Sequence, residues 1–316
     1  MKYLIVGAGG AGGCLAAFMT EGGLDVAVVD RGEHLEAIKR KGITLETEFR
    51  GTYTVAPVRA FSTDEYNEEP DVIILCVKEY SARDVLPFIR RIARPGVILI
   101  PVISVFDMGI RLQTSLKELN VMDGCIYVAA VITEPGTIKM YGRILSVVYG
   151  VRDQDMYTRW LDKIAYDLRM CGIEGTVSDD IMQEMMKKFS YISPLASTMF
   201  YFECTAGAIQ QPGKERDLFI ELVNEVEQLS EAMNIPLHCD IVGTNLSILS
   251  ELGKDTTVEM TRDIAAGRPS EIDGLVFEML RRSDDMNVKA PAYEMVAEKA
   301  IRCGCIPRKQ TEDLVL

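Results

Sequence analysis

Lys2-Tyr3-Leu4-Ile5-Val6-Gly7-Ala8-Gly9-Gly10-Ala11-Gly12-Gly13 opens the chain, and the fold is decided there. Lys2 to Val6 is a short β-branched and apolar run, which predicts a strand. Beyond the glycines, Leu15, Phe18 and Met19 follow a helical spacing that Gly22-Gly23 ends. Leu24 to Val29 reads as a second strand closing on Asp30. A G-x-G-x-x-G motif (Gly7, Gly9, Gly12) between strand and helix, with an acid roughly 20 residues on, is the context in which this motif binds a dinucleotide. Its glycines give a tight turn, close approach of backbone to a pyrophosphate, and close packing of helix on strand. The helix N-terminus turns unpaired N–H groups toward the phosphates. Gly7, Ala8, Gly9, Gly10 and Gly12 are therefore candidate cofactor-binding residues. Asp30 stands where a carboxylate accepts the ribose hydroxyls of NAD, whereas Arg31 could hold the 2′-phosphate of NADP. The chemistry of these two residues leaves that choice open.

Further along, strands and helices keep alternating. Asp71 to Val77 is almost continuously apolar, as a strand buried on both faces should be. Lys78 ends it on the side where open α/β sheets bind ligands, which makes it a candidate ligand-binding residue. Tyr80 to Ala93 is helix-like, and Pro95-Gly96 leads into a further strand, Val97 to Val105. Two segments read as hairpins: Ile43 to Phe61 around Arg50-Gly51, and Ile126 to Tyr149 around Pro135-Gly136 and Tyr141-Gly142. From about Asp179 the periodicity is helical. The expected architecture is α/β: an N-terminal Rossmann dinucleotide-binding domain over 1–177 and an all-helical domain over 178–316.

Composition bounds the function. A chain of 316 residues with 48% hydrophobic side chains can bury about two cores. Its formal charge of −13 argues against nucleic acid or an anionic membrane as partner. The N-terminus lacks a signal-peptide layout, and the longest apolar run, Val97 to Phe106, is too short to span a bilayer, so a cytoplasmic protein is expected. Eight cysteines without a C-x-x-C, and only two histidines, predict no metal site and reduced, buried thiols.

In the second half, Ile181 to Ile192 predicts a helix whose apolar stripe runs through Ile181, Met182, Met185, Phe189 and Ile192. Lys187 points away from that stripe and Lys188 lies at its edge. A lysine there either snorkels to solvent or stands partly desolvated in a cleft, suited to giving up a proton. Ser270, with Asp273 three residues later and Glu271 in the first turn, reads as a capping box.

In order along nearly the whole chain, the Gly7-Gly9-Gly12 start, Val77-Lys78, Lys188-Phe189 and the Asp263…Gly267…Ser270-Glu271-Ile272-Asp273 string resemble the ketopantoate reductases (2-dehydropantoate 2-reductases). Arg31-Gly32-Glu33-His34-Leu35 is also similar to that family's second-strand exit, where the arginine goes with NADPH. The resemblance implies a substrate held between the two domains, and a hydride passed from NADPH to a small branched 2-oxo acid. By default that acid is 2-dehydropantoate, reduced to pantoate in pantothenate and coenzyme A biosynthesis. It implies that Lys188 is the general acid, that Glu271 hydrogen-bonds the substrate and supports closure, and that Lys78 lies near nicotinamide and substrate. Ser270, beside Glu271, joins the substrate candidates. Where the family carries an Asn-Gly pair after the Val97 strand, this chain has Ser104-Val105, so Ser104 is the substrate-binding candidate there. NADPH is the expected cofactor, with NADH admitted by Asp30, and no metal. The expected partner is the small 2-oxo acid, with a homodimer as the candidate assembly. Two alternatives are a related opine- or hydroxyacid-type dehydrogenase, and an NADP(H)-binding protein that has lost turnover.

Overall fold

The computed structural model describes residues 1–106 and 108–307, and the backbone alone of Asp155. Residues 308–316, the end of the expected helical domain, lie outside the described residues. The chain divides into two compact units. One holds the residues up to Ile103 and the stretch ending at Ile181; the other joins Ser104–Phe106 to the chain from Met182 onward.

The first unit runs β1 (Lys2–Val6), α1 (Gly10–Glu21), β2 (Asp25–Val29), α2 (Gly32–Lys41), β3 (Ile43–Thr47), β4 (Gly51–Val55) and β5 (Arg59–Phe61). It continues through β6 (Val72–Leu75), α3 (Glu79–Ile92), β7 (Ile98–Pro101), α4 (Met108–Ser115) and β8 (Asn120–Val121). β9 (Asp123–Glu134), β10 (Thr137–Gly150), α5 (Arg159–Met170) and β11 (Glu174–Val177) complete it. Six strands form a parallel sheet in the order β5-β2-β1-β6-β7-β8. Strand order reverses between β1 and β6, and in such sheets the crevice at the reversal is where a dinucleotide binds. The four residues of β6 are all buried, as its unbroken apolar run requires.

The remaining five strands make a second sheet that the sequence did not announce. The early half of β10 pairs with β3 and its late half with β11, while β9 runs antiparallel along it. The first expected hairpin is real but ends at Val55, and Arg59–Phe61 crosses to the other sheet beside β2. Pro57 lies in between and has no N–H to extend a ladder. In the second, Pro135-Gly136 is the turn, whereas Tyr141-Gly142 lies within β10 at a break of register, with Gly142 at φ +65°. β7 stops at Pro101 rather than Val105, because Val105 and Phe106 are buried as part of the helical unit.

The helical unit consists of α6 (Ile181–Phe202), α7 (Ala206–Ile209), α8 (Lys214–Ala232), α9 (Ile241–Ser250) and α10 (Glu259–Ala265). A π-helical turn (Asp273–Phe277), α11 (Glu278–Asp285) and α12 (Pro291–Arg302) follow. α6 extends well past Ile192, straight through Pro194. Proline has no N–H, so the carbonyl of Ser190, four residues back, loses its helical donor. The buried side chain of Asn245 on α9 replaces it, its Nδ2 donating to Ser190 O at 2.8 Å. Asn245→Ala should therefore strand a polar atom in the core and lower the unfolding free energy by about 1–3 kcal/mol. Urea denaturation checks this; an unchanged midpoint would show that the carbonyl finds water. The buried face of α6 also differs from the expected stripe. Met186 is 1% exposed and belongs to it, whereas Met182 and Ile192 are only half-buried. All eight cysteines are free thiols, but Cys239 and Cys303 are exposed, so the expectation of buried thiols fails for those two. No helix among the described residues is long and apolar enough to cross a membrane.

Candidate active site

The loop after β1 meets the geometry its glycines called for. Gly7 turns the chain at φ +95°, and a Cβ on Gly12 would stand 1.9 Å from the Gly7 carbonyl oxygen. α1 can approach the strand this closely only because Gly12 has no side chain. A Cβ on Gly9, by contrast, would meet nothing within 4 Å, so that side of the loop is open to a ligand. Gly9 caps α1 without a side-chain hydrogen bond, and the first turn carries no acid. The N–H groups of Gly10, Ala11 and Gly12 are thus left for an anion. An open backbone face with orphan donors, at the reversal of a parallel sheet, fits a dinucleotide pyrophosphate.

Asp30 does more than its position predicted. Its Oδ2 accepts from the Ala8 N–H at 3.0 Å and its Oδ1 from the Arg31 N–H at 2.8 Å. It thereby ties the glycine loop to the end of β2. Among the described residues the Arg31 guanidinium has no hydrogen-bond or ion-pair partner, and it is exposed at the start of α2. Lys78 sits between β6 and α3, as the residue that caps α3, with φ −66° and ψ 150°. Val77 packs beside Gly7, so the end of β6 adjoins the glycine loop.

In the helical unit, three stretches that lie far apart in sequence meet. Phe106 stacks obliquely on Phe189, the neighbour of Lys188, with ring centroids 6.5 Å apart. A Cβ on Gly274 would come within 2.3 Å of Val105 Cγ2, so the π-helical turn fits against Val105 only as glycine. Ser193, five residues beyond Lys188, donates to the Leu275 carbonyl at 2.5 Å. Its oxygen lies 2.5 Å from the Tyr293 hydroxyl, and with its own proton committed it can only accept there. Ser104, Lys188 and Glu271 are thus carried by segments that pack on one another. Lys187 instead pairs with Glu184 at 3.0 Å, one turn back on the same helix.

The stretch before Glu271 is fixed by its own chemistry. α10 ends in a Schellman turn: Gly267 is left-handed at φ +65°, and the Arg268 and Gly267 N–H groups return to Asp263 O and Ile264 O. The Arg268 guanidinium closes on Asp263 Oδ1 at 2.7 Å. The capping box expected at Ser270 does not form. Asp273 reaches Arg281 instead, at 2.9 Å, because two full charges pair more strongly than a carboxylate and a hydroxyl or N–H. Ser270 is half-buried, and Glu271 is 8% exposed at the entry to the π-helical turn. π-turns of this kind recur at functional sites. Sequence reasoning missed Ser193, Gly274 and Tyr293, since nothing in their local pattern sets them apart. It also gave no role to His34, which follows Arg31 on the first turn of α2.

A parallel sheet with a glycine loop at its reversal is the dinucleotide-binding class of fold, and the helical unit joined to it carries Lys188 and the buried Glu271. The family model "Ketopantoate reductase PanE/ApbA" matches residues 3–154, and its C-terminal counterpart matches residues 180–301. The chain belongs to the ketopantoate reductase family, whose enzymes are oxidoreductases acting on CH–OH groups. It is 26% identical to the 2-dehydropantoate 2-reductase of Pyrococcus horikoshii, over 92% of this chain and 93% of that one. In fold it resembles the 2-dehydropantoate 2-reductase of Geobacter metallireducens GS-15, with a TM-score of 0.86 and 21% identity over 96% and 99% of the two chains. It also resembles a D-mandelate dehydrogenase solved with NADH and anilino(oxo)acetate, with a TM-score of 0.85 and 19% identity over 96% and 100%.

Proposed function

We propose that this protein uses NADPH to reduce a small branched 2-oxo acid to the 2-hydroxy acid, with 2-dehydropantoate as the default substrate. The observation that carries the cofactor choice is the contrast between Asp30 and Arg31. Both Asp30 oxygens already accept backbone N–H groups, while the Arg31 guanidinium has no described partner and is exposed. That arrangement supports a 2′-phosphate held by Arg31. The bound cofactor supplies the hydride. Gly10, Ala11 and Gly12 turn N–H groups to its phosphates, and Gly9 lets them approach. Lys188 holds a proton for the alkoxide oxygen that forms as the ketone carbon is reduced, since a cation placed in advance best meets developing negative charge. Glu271 accepts a hydrogen bond from a substrate hydroxyl, and Ser104, Ser270 and Lys78 complete the polar contacts.

Loss of absorbance at 340 nm tests the reading, with NADPH or NADH and 2-dehydropantoate, then a panel of branched 2-oxo acids. Oxidation of NADPH by 2-dehydropantoate supports the proposal in full. Turnover only elsewhere in the panel would change the substrate, and cofactor binding without any turnover would favour a protein that has lost catalysis. Arg31→Ala should weaken NADPH binding by roughly 10- to 100-fold, the worth of a charge-assisted contact, and leave NADH nearly unchanged. Equal losses for both nucleotides would take Arg31 away from the 2′-phosphate.

A further inference from the structure

We propose that His34 is a positioning residue for the dinucleotide loop, and that binding weakens when its ring is protonated. The inference rests on the reading that the glycine loop holds a nicotinamide dinucleotide. His34 Nδ1 lies 3.0 Å from the Gly136 backbone nitrogen, and Nε2 lies 2.9 Å from the Ala8 carbonyl oxygen. A backbone N–H can only donate, so Nδ1 accepts; Nε2 then carries the proton and donates to Ala8. Only the neutral Nε2–H tautomer makes both bonds.

Those bonds control the part of the loop that faces the ligand. The Ala8 carbonyl and the Gly9 N–H belong to one planar trans peptide and point in opposite directions. Holding the carbonyl on His34 therefore aims the Gly9 N–H away from the ring. The preceding peptide is fixed from the other end, by the Ala8 N–H on Asp30. Two consecutive peptide planes are thus set before any ligand arrives. The ring in turn is anchored by the β9–β10 turn, which packs against α2: a Cβ on Gly136 would lie 3.0 Å from Ala37.

Protonation turns Nδ1 into a donor facing another donor, and the Gly136 anchor is lost. The elements that carry this assembly also bear charged residues: Asp30 after β2, Arg31 and Glu33 around the start of α2, and Glu134 at the end of β9. Lys41, late in α2, lies 3.5 Å from Glu134. The tautomer requirement sets the expected sign, because an unanchored loop must be ordered when the nucleotide binds. Comparing pH 8 with pH 5.5 brackets the range in which a histidine side chain ordinarily changes charge.

The test is a fluorescence titration of NADH and NADPH at pH 8 and pH 5.5 with wild-type protein, His34→Gln and His34→Ala. NADH removes the titration of the 2′-phosphate from the comparison. Glutamine offers a donor and an acceptor at similar spacing and does not ionise. Wild type should bind NADH about 5- to 10-fold more weakly in acid, the effect of losing about one hydrogen bond. His34→Gln should match wild type at pH 8 within about twofold and show no such slope, and His34→Ala should be about tenfold weaker at both pH values. A flat or inverted wild-type profile, or a wild-type slope kept by His34→Gln, overturns the role of His34 while the cofactor reading stands. Failure of wild type to bind either nucleotide at any pH overturns both. 15N shifts of the wild-type His34 ring need no variant: an Nε2–H tautomer is expected, and an Nδ1–H tautomer sinks the proposal.

Discussion

Replacing Lys188 by alanine is expected to lower kcat by about 10²- to 10⁴-fold, the range for a general acid, while nucleotide affinity stays near wild type. The two properties separate because the nucleotide loop and Lys188 belong to different units, the loop on β1 and α1 and the lysine on α6. Lys187→Ala is the internal control. Its ammonium already pairs with Glu184 on a half-exposed helix face, a contact worth about 0.3–0.5 kcal/mol, so its loss should barely register. Lys188→Arg keeps the charge but raises the proton affinity, and should recover substrate binding more than turnover. Single-turnover kinetics with saturating NADPH would read the chemical step directly. Equal losses at both lysines would remove the proton-donor role from Lys188.

The second large effect is a split between two glycines three residues apart. Gly12→Ala places a methyl 1.9 Å from the Gly7 carbonyl oxygen and 2.9 Å from Cys76 Cβ. The obstacle is mainly backbone and cannot rotate away, so α1 must lift off the sheet. Stability should fall by about 2–4 kcal/mol, and nucleotide binding should weaken at least about 100-fold. Gly9→Ala has empty space around its new methyl. It should leave the melting temperature within a degree or two and still weaken nucleotide binding by about tenfold or more, because the methyl occupies the ligand's side of the loop. Differential scanning fluorimetry with and without NADPH separates the cases. A stable Gly12→Ala, or a Gly9→Ala that binds normally, would reverse the assignment of the two glycines.

The Rossmann sheet was legible because its signals are local: a β-branched run, glycines at fixed offsets, an acid at the next strand end. The helix over Ile181–Ile192 was legible for the same reason, since 3.6-residue periodicity is written in neighbouring residues. Its length was not. Proline ordinarily ends such a pattern, and Asn245, 55 residues beyond Ser190, supplies the donor that lets α6 continue through Pro194. The second sheet escaped notice because β10 changes partner halfway along, a choice made by distant strands. The capping box at Ser270 failed for a related reason, as Arg281 competes for Asp273 from eight residues away.

By itself the sequence determined the parallel Rossmann half, the helical half, and which residues were candidates for the site. Tertiary structure decided which of those residues stand together and what fixes them. Val105 and Gly274, Ser193 and Leu275, and His34 between Ala8 and Gly136 are contacts across 26 to 169 residues of chain. Short-range periodicity carries no record of such pairs. They form because hydrogen-bond donors, acceptors and close-packed surfaces must find partners once buried, and only the folded chain brings those partners within reach.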